Sequence, residues 1–125
     1  MDANGNIIIA VDFDGTLSFG KWPECGEPNE GLFEELKEQK AAGARIILFT
    51  CRNGGQLTEA VDYCRAYGLE FDAVNENLPE LIEYYGGDTR KINADIYIDD
   101  KALNPVKLFG QQFPKRNQER KESNQ

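Results

Sequence analysis

Residues 7–17 read Ile-Ile-Ile-Ala-Val-Asp-Phe-Asp-Gly-Thr-Leu, and this stretch decides the fold. The apolar run from Ile7 to Val11 is too short for a helix and rich in β-branched residues, which is typical of a central strand buried on both faces. Asp12 ends the run, and Asp14 follows it closely. At about 4 Å and an effective dielectric of about 20, two such charges repel by roughly 4 kcal/mol. We therefore expect a cation beside them, or one protonated carboxyl group.

Similar apolar runs recur along the chain, and helical patterns lie between them. Further strands are expected at residues 44–50, 71–74 and 96–98, with a last edge strand at 106–109. Helices are expected at residues 30–42, 56–67 and 79–85, with a turn at Asn53-Gly54-Gly55 before the second. Alternating strands and helices predict an α/β protein, a three-layer α/β/α Rossmann-like fold with a central parallel sheet.

The composition is that of one globular domain. The chain has 125 residues, of which 40% are hydrophobic and 29% charged. We expect a single domain over residues 1–113 and a polar, frayed tail over 114–125. No apolar run approaches the roughly 18 residues of a membrane span, and the N-terminus shows no secretory signal. A cytoplasmic protein without a membrane partner is therefore expected, and the net charge of −8 argues against a broad nucleic-acid surface.

Histidine is absent from the sequence, and cysteine is sparse. The lack of histidine excludes Ser-His-Asp and Cys-His catalysis and the usual zinc sites. Cys25, Cys51 and Cys64 show no C-x-x-C spacing, so we expect reduced thiols, with Cys64 in the core. Any chemistry must therefore depend on carboxylates, lysine, arginine, hydroxyl groups or a hard metal ion.

Polar residues follow the predicted strands at their carboxyl ends, where parallel sheets bind ligands. They are Asp12, Asp14, Thr50, Arg52, Asn75, Asn77, Asp99 and Asp100. Such an oxygen-rich set suits Mg²⁺, which commonly takes one or two carboxylates together with substrate phosphate. A site of this kind can transfer phosphoryl groups, with one aspartate attacking phosphorus and a second serving as general acid and base.

Four motifs in order resemble those of the haloacid dehalogenase (HAD) superfamily. Asp12-Phe13-Asp14-Gly15-Thr16 after an apolar strand is similar to its first motif, and Thr50 after Ile-Ile-Leu-Phe to its second. Lys91 fits the third motif, and Asp99-Asp100 after Ile-Tyr-Ile fits the fourth. D-x-D alone is a weak signal, whereas the full set in this order is specific. The resemblance covers roughly residues 7–101, which is most of the chain.

The resemblance implies an Mg²⁺-dependent phosphomonoester hydrolase. Asp12 would be the nucleophile, forming an aspartyl phosphate, and Asp14 the general acid and base. The implied metal ligands are Asp12, Asp14 through its backbone carbonyl, Asp99 and Asp100. The implied phosphate-binding residues are Thr50 and Lys91.

The sequence leaves more than one role open for Arg52, for Lys91 with its neighbour Arg90, and for Asp100. Arg52 can contact substrate phosphate or pair with an acid. Arg90 is adjacent to Lys91 and competes for the cationic role. Asp100 can bind metal or pair with Lys101 or Arg52.

The loop at residues 18–29 is expected to form an ordered flap, because it contains two glycines and two prolines. Its Trp22 can shield the site, contact a substrate, or pack on its own domain. Neither interval between motifs, 17–49 or 51–90, leaves room for a cap domain of the usual size. The resemblance therefore implies a capless form with an open site, whose substrate is macromolecular or whose site a neighbouring subunit closes.

Two other functional classes fit parts of the pattern. A phosphate- or phosphoprotein-binding module on the same fold would keep the residues without significant turnover. A receiver-type signalling domain also uses Asp, Thr, Lys and Mg²⁺, but its phosphorylated aspartate follows the third strand. Here only Glu76 lies near that position, so the order of residues disfavours a receiver domain.

Overall fold

The apolar run of residues 8–11 forms a strand inside a parallel sheet, as the sequence predicts. The computed structural model describes residues 1–102. Its elements in chain order are β1 (Ile8–Val11), β2 (Ser18–Phe19), β3 (Glu27–Pro28), α1 (Glu30–Ala41), β4 (Arg45–Leu48), α2 (Gly54–Ala66), β5 (Ala73–Val74), α3 (Pro79–Tyr85) and β6 (Ile96–Ile98).

The central sheet has four parallel strands in the order β5-β4-β1-β6. Ile9 pairs with Ile46 on one side and with Ile96 on the other. No residue of β1 is more than 3% exposed, because neighbouring strands flank it and side chains cover both faces. The predicted fold class is confirmed: the chain is an α/β protein with a Rossmann-like, three-layer arrangement.

Helices cover both faces of the sheet. Phe33 of α1 and Cys64 of α2 join Ile9 and Ile46 in one core cluster. Leu81 of α3 packs against the opposite cluster, which contains Ile8. Right-handed crossovers explain why α1 and α2 lie on one face of the sheet and α3 on the other. The chain passes from β1 through β4 to β5 on one side of the sheet, and then crosses back to place β6 on the other side of β1. The strand order therefore reverses at β1, and the crevice at such a reversal is where open α/β sheets bind ligands.

Some element bounds differ from the predictions. Helix α2 begins at Gly54, because the Leu57 backbone N–H donates to the Asn53 carbonyl (3.1 Å) and both glycines lie in the first turn. Strand β5 is limited to Ala73–Val74, because the carboxylate of Asp72 accepts the Ile46 backbone N–H (2.7 Å). The predicted edge strand at 106–109 and the tail at 114–125 lie outside the described residues.

The predicted flap contains a short antiparallel hairpin of β2 and β3. Gly20 and Gly26 pack backbone against backbone, since a Cβ on Gly20 would lie 2.5 Å from the Gly26 nitrogen. The Tyr63 hydroxyl of α2 donates to the Gly26 carbonyl (2.6 Å), and the Gly26 N–H donates to Ser18 Oγ (2.8 Å). The hairpin is thus anchored to the domain. Within residues 1–102, no helix has both the length and the apolar character that crossing a membrane requires.

At the amino ends of the strands, Arg45 joins three acidic groups. Its Nη1 donates to Asp2 (3.1 Å) and to Glu80 (2.6 Å), and its Nε lies 3.4 Å from Asp72. The pKa of Glu80 is lowered, mainly by its hydrogen bond from Arg45. The pKa of Asp2 is also lowered, mainly by the backbone N–H of Asn6 and further by Arg45.

Replacing Arg45 with Met is expected to lower Tm at pH 7 by about 5 °C, because the carboxylates lose their shared partner. Glu80 and Asp2 have folded pKa values below their usual ones, so between the folded and the usual pKa the unfolded chain binds more protons than the folded chain. The stability that these two carboxylates contribute is complete above their usual pKa values and is lost as the pH falls. The deficit in Tm should therefore shrink between pH 6 and about pH 3. Lys37→Met, which breaks only a surface pair with Glu34, is the control; a deficit independent of pH would contradict the prediction.

Candidate active site

A cleft of about 530 Å³ opens at the carboxyl edge of the sheet, where the strand order reverses. Its lining residues are Asp12, Asp14, Trp22, Phe49, Thr50, Cys51, Asp99 and Lys101. The volume is that of an ordinary small-molecule site. Of the seven residues predicted to be catalytic or to bind metal or phosphate, five line the cleft or belong to its acidic cluster, and two, Arg52 and Lys91, have other positions.

Asp12, Asp99 and Asp100 form a carboxylate cluster. One oxygen from each lies within 4.8 Å of the others. The ends of β1 and β6 bring them together, since the Asp12 backbone N–H donates to the Ile98 carbonyl (2.9 Å). A donor set made only of carboxylate oxygens fits a hard divalent ion such as Mg²⁺.

Gly15 permits the close approach of Asp100. It has φ +79°, and a Cβ at this position would lie 2.5 Å from Asp100 Oδ2. A side chain here would therefore be strained and would also displace a member of the carboxylate cluster. The backbone conformation and the nearby Asp100 carboxylate thus explain why the D-x-D-G-T motif has glycine at this position in this chain.

The ionised form of Asp12 is disfavoured by its surroundings. Its pKa is raised to about 6, mainly by burial and further by the carboxylates of Asp99, Asp100 and Asp14, against the opposing hydrogen bond from the Phe13 backbone N–H. A divalent cation in the cluster would offset this repulsion. Within residues 1–102, no side-chain cation forms an ion pair with Asp12, whereas Asp14 has such a partner.

Asp14 is paired with Arg52. The Nε of Arg52 donates to Oδ2 (2.9 Å) and its Nη2 donates to Oδ1 (2.8 Å), a bidentate geometry. The Arg52 side chain is 0% exposed, and its Cζ lies over the rings of Phe13 (4.8 Å) and Trp22 (4.9 Å). The prediction that Arg52 contacts substrate phosphate is therefore corrected: its guanidinium is buried and engaged, and the alternative of an ion pair with an acid is what the structure shows.

The pairing also separates Asp14 from the carboxylate cluster. Its side chain faces Arg52, so the cluster contains three of the four predicted metal ligands. The predicted backbone-carbonyl contact of Asp14 with metal stays a prediction. Its side chain is 40% exposed, which leaves it accessible from the cleft.

Thr50 lies in the cleft wall as predicted for a phosphate-binding hydroxyl. Its backbone N–H donates to Asn75 Oδ1 (2.8 Å), and Asn75 has φ +55°. Its Oγ1 accepts the Arg52 backbone N–H (3.2 Å). A hydroxyl that accepts one hydrogen bond keeps its own proton to donate, which suits a phosphoryl oxygen.

The structure places Lys91 outside the cleft wall. Its Nζ lies 5.5 Å from the centroid of the Tyr97 ring. The loop at residues 88–93, which contains Lys91, is held by the buried side chain of Asn77. This side chain donates to Asp88 Oδ1 (2.7 Å) and accepts the Asn93 backbone N–H (2.6 Å). Lys91 thus lies outside the residues that line the cleft, and its phosphate-binding role stays a prediction. Asn77 anchors a loop, as the turn chemistry of asparagine also allows.

The lysine that lines the cleft is Lys101, which the sequence pattern suggested only as a partner of Asp100. Its Nζ lies 3.5 Å from Asp100 Oδ2, and its backbone N–H donates to Asp99 Oδ1 (2.9 Å). A signal was present in the sequence, since Lys101 directly follows the Asp99-Asp100 pair at the same strand end. Asp100 thus combines both of its alternatives, membership of the carboxylate cluster and an ion pair with Lys101.

Fold and cleft together define a Rossmann-like α/β protein with a carboxylate cluster at the reversal point of its sheet. A solved structure of a conserved protein from Bacteroides thetaiotaomicron is similar to this chain, with a TM-score of 0.70 and 42% sequence identity over 78% of each chain. The chain therefore belongs to the same family as that protein. No protein-family model and no curated protein matches the chain.

Proposed function

We propose that the protein is an Mg²⁺-dependent phosphomonoester hydrolase of the HAD type, acting through an aspartyl phosphate on Asp12. The observation that carries the proposal is the cluster of Asp12, Asp99 and Asp100 within 4.8 Å at the carboxyl edge of the sheet. Thr50 and Lys101 line the same cleft as phosphate-binding groups. The order of the motifs along the chain supports the HAD assignment.

Asp12, Asp99 and Asp100 would hold the metal ion, which when bound supplies positive charge against the cluster and the phosphoryl oxygens. An Asp12 carboxylate oxygen attacks phosphorus, and the bond from phosphorus to the leaving oxygen breaks. Asp14, when protonated, gives its proton to that oxygen. Asp14 then takes a proton from water, whose oxygen attacks phosphorus and releases phosphate from Asp12.

Arg52 orients Asp14 for both proton transfers. The bidentate pair uses one lone-pair site on each Asp14 oxygen, and a carboxylate has about four such sites. The remaining sites serve the leaving oxygen in the first step and the attacking water in the second. Thr50 and Lys101 would bind the phosphoryl oxygens during both steps.

A phosphate- or phosphoprotein-binding module without significant turnover is the second candidate. The observation that favours it is the same Asp14–Arg52 pair. Arg52 occupies one acceptor site on each Asp14 oxygen, which leaves fewer sites through which Asp14 can exchange a proton with a substrate. Slow proton transfer would leave a site that binds phosphate and releases it unchanged.

Metal removal tests the proposed function. With 4-nitrophenyl phosphate as substrate, release of inorganic phosphate is expected in Mg²⁺, to fall below detection in EDTA, and to return when Mg²⁺ is restored. Equal release in EDTA would contradict the proposal. No release in Mg²⁺, combined with saturable binding of inorganic phosphate, would instead favour the binding module.

A further inference from the structure

Two aromatic side chains form part of the cleft wall beside the acidic residues. They are Trp22 of the hairpin segment and Phe49 at the end of β4. Both are open to solvent, at 57% and 42% exposure. Large aromatic rings on the wall of a cleft provide surfaces on which flat ligand groups stack. The volume of about 530 Å³ has room for such a group beside a phosphate.

Trp22 is held in position before any ligand binds. The Arg52 guanidinium lies against one face of its ring, with Cζ 4.9 Å from the ring centroid. Arg52 is itself held by Asp14, and the hairpin by Tyr63. Because Arg52 already packs against one face of the Trp22 ring, the side chain loses little conformational freedom when a ligand stacks on the other face. Phe19 on the same hairpin is as exposed, at 56%, but does not line the cleft.

The charge of the cleft limits what can accompany the phosphate. Four carboxylates, those of Asp12, Asp14, Asp99 and Asp100, face the two cations Lys101 and Arg52. One bound divalent ion would balance the difference, and the phosphate dianion then adds negative charge. A second anionic group on the substrate would be repelled in this setting. The alcohol part of the substrate should therefore be uncharged.

We propose that the cleft selects phosphate monoesters whose alcohol part is uncharged and carries a flat aromatic ring, which stacks on Trp22 and Phe49. This inference deepens the proposed function and depends on it for the phosphoryl end of the substrate. The preference for an aromatic alcohol depends only on Trp22 and Phe49. Hydrolysis of the ester and stacking of its aromatic ring can therefore be refuted separately.

Benzyl phosphate and cyclohexylmethyl phosphate test the inference, because their primary alkoxide leaving groups are similar in size and only one carries a flat ring. In Mg²⁺, kcat/KM is expected to be about tenfold higher for benzyl phosphate. Trp22→Leu should remove this preference, and Trp22→Phe should restore most of it. Phe19→Leu is the matched control and should leave both values unchanged. Equal kcat/KM for the two esters in the wild type, or a preference that survives Trp22→Leu, would overturn the inference.

A binding measurement separates the inference from the proposed function. Trp22 is the only tryptophan in the chain, so its fluorescence reports directly on the cleft. If the wild type hydrolyses neither ester and releases no phosphate from 4-nitrophenyl phosphate in Mg²⁺, the proposed function fails. A saturable change in emission at about tenfold lower benzyl phosphate than cyclohexylmethyl phosphate would then still support aromatic selection. No change, or equal affinities, would overturn it.

Discussion

Asp12→Asn is expected to reduce phosphate release by about 10³-fold or more, because the variant loses the attacking oxygen of the proposed reaction. Asparagine has nearly the same shape as aspartate, so β1 and its hydrogen bond to Ile98 should be retained. The amide is a poor nucleophile and a weaker metal ligand than a carboxylate. Both deficits act on the same step.

The same variant is expected to be more stable than the wild type when metal is absent. The pKa of Asp12 is raised to about 6, mainly by burial, so the folded state holds an unfavourable charge above that pH. A raised folded pKa in an acid means that stability falls as the pH rises through this value. That cost develops between the usual pKa of 3.8 and the folded pKa of about 6. The neutral amide of the variant removes it, so Tm in EDTA should be higher than wild type at pH 8 and similar only at about pH 3.

Together, activity and stability distinguish a catalytic role for Asp12 from a structural one. Phosphate release is measured in Mg²⁺, and Tm is measured in EDTA and again with Mg²⁺, which should raise the Tm of the wild type more than that of the variant. Asp62→Asn, a change to an exposed carboxylate on α2, should alter neither quantity. Wild-type turnover by Asp12→Asn would refute the proposed nucleophile, and a large fall in its Tm would indicate a structural role.

Arg52→Met is expected to cost about 2–3 kcal/mol of unfolding free energy and to lower kcat about 10²-fold. The guanidinium is buried, donates to both oxygens of Asp14, and lies against Phe13 and Trp22. Removing it leaves Asp14 without a partner and Trp22 without its support. This stability cost is below the range of about 3–5 kcal/mol for broken buried pairs, because Asp14 is 40% exposed.

Denaturant unfolding and steady-state kinetics measure the two effects of Arg52→Met. Arg65→Met on the neighbouring helix α2 breaks only surface pairs with Asp62 and Glu70, and it should cost less than about 0.5 kcal/mol. Arg52→Lys keeps the charge but not the planar fork, so it should recover part of the stability and little of kcat. Equal stability of Arg52→Met and Arg65→Met would contradict the role given to the buried pair.

The fold and the acidic part of the candidate site could be predicted because they depend on patterns local in sequence. The unbroken run of Ile8 to Val11 predicts a central strand, and Asp12 must follow its carboxyl end wherever the sheet lies. The same holds for Asp99 and Asp100 after β6. In a parallel sheet these ends share one edge, so the cluster was expected before any distance was known.

The positions of the cations could not be predicted in the same way. Arg52, Lys91 and Lys101 all lie within a few residues of a motif, and long flexible side chains can point to either side of such a position. The structure shows Arg52 buried against Asp14, Lys91 over Tyr97, and Lys101 in the cleft. Each outcome depends on how the side chain packs against its neighbours in the folded chain.

The sequence by itself determined the alternation of strands and helices, the central place of β1, and the edge at which the aspartates gather. These follow from hydrophobic periodicity and from the common direction of parallel strands, which need no knowledge of packing. Only the tertiary structure decided that Asp14 pairs with Arg52, that Trp22 lies over this pair, and that Lys101 lines the cleft. Those outcomes are set by which side chains meet across elements, and such contacts depend on the relative placement of elements far apart in the chain.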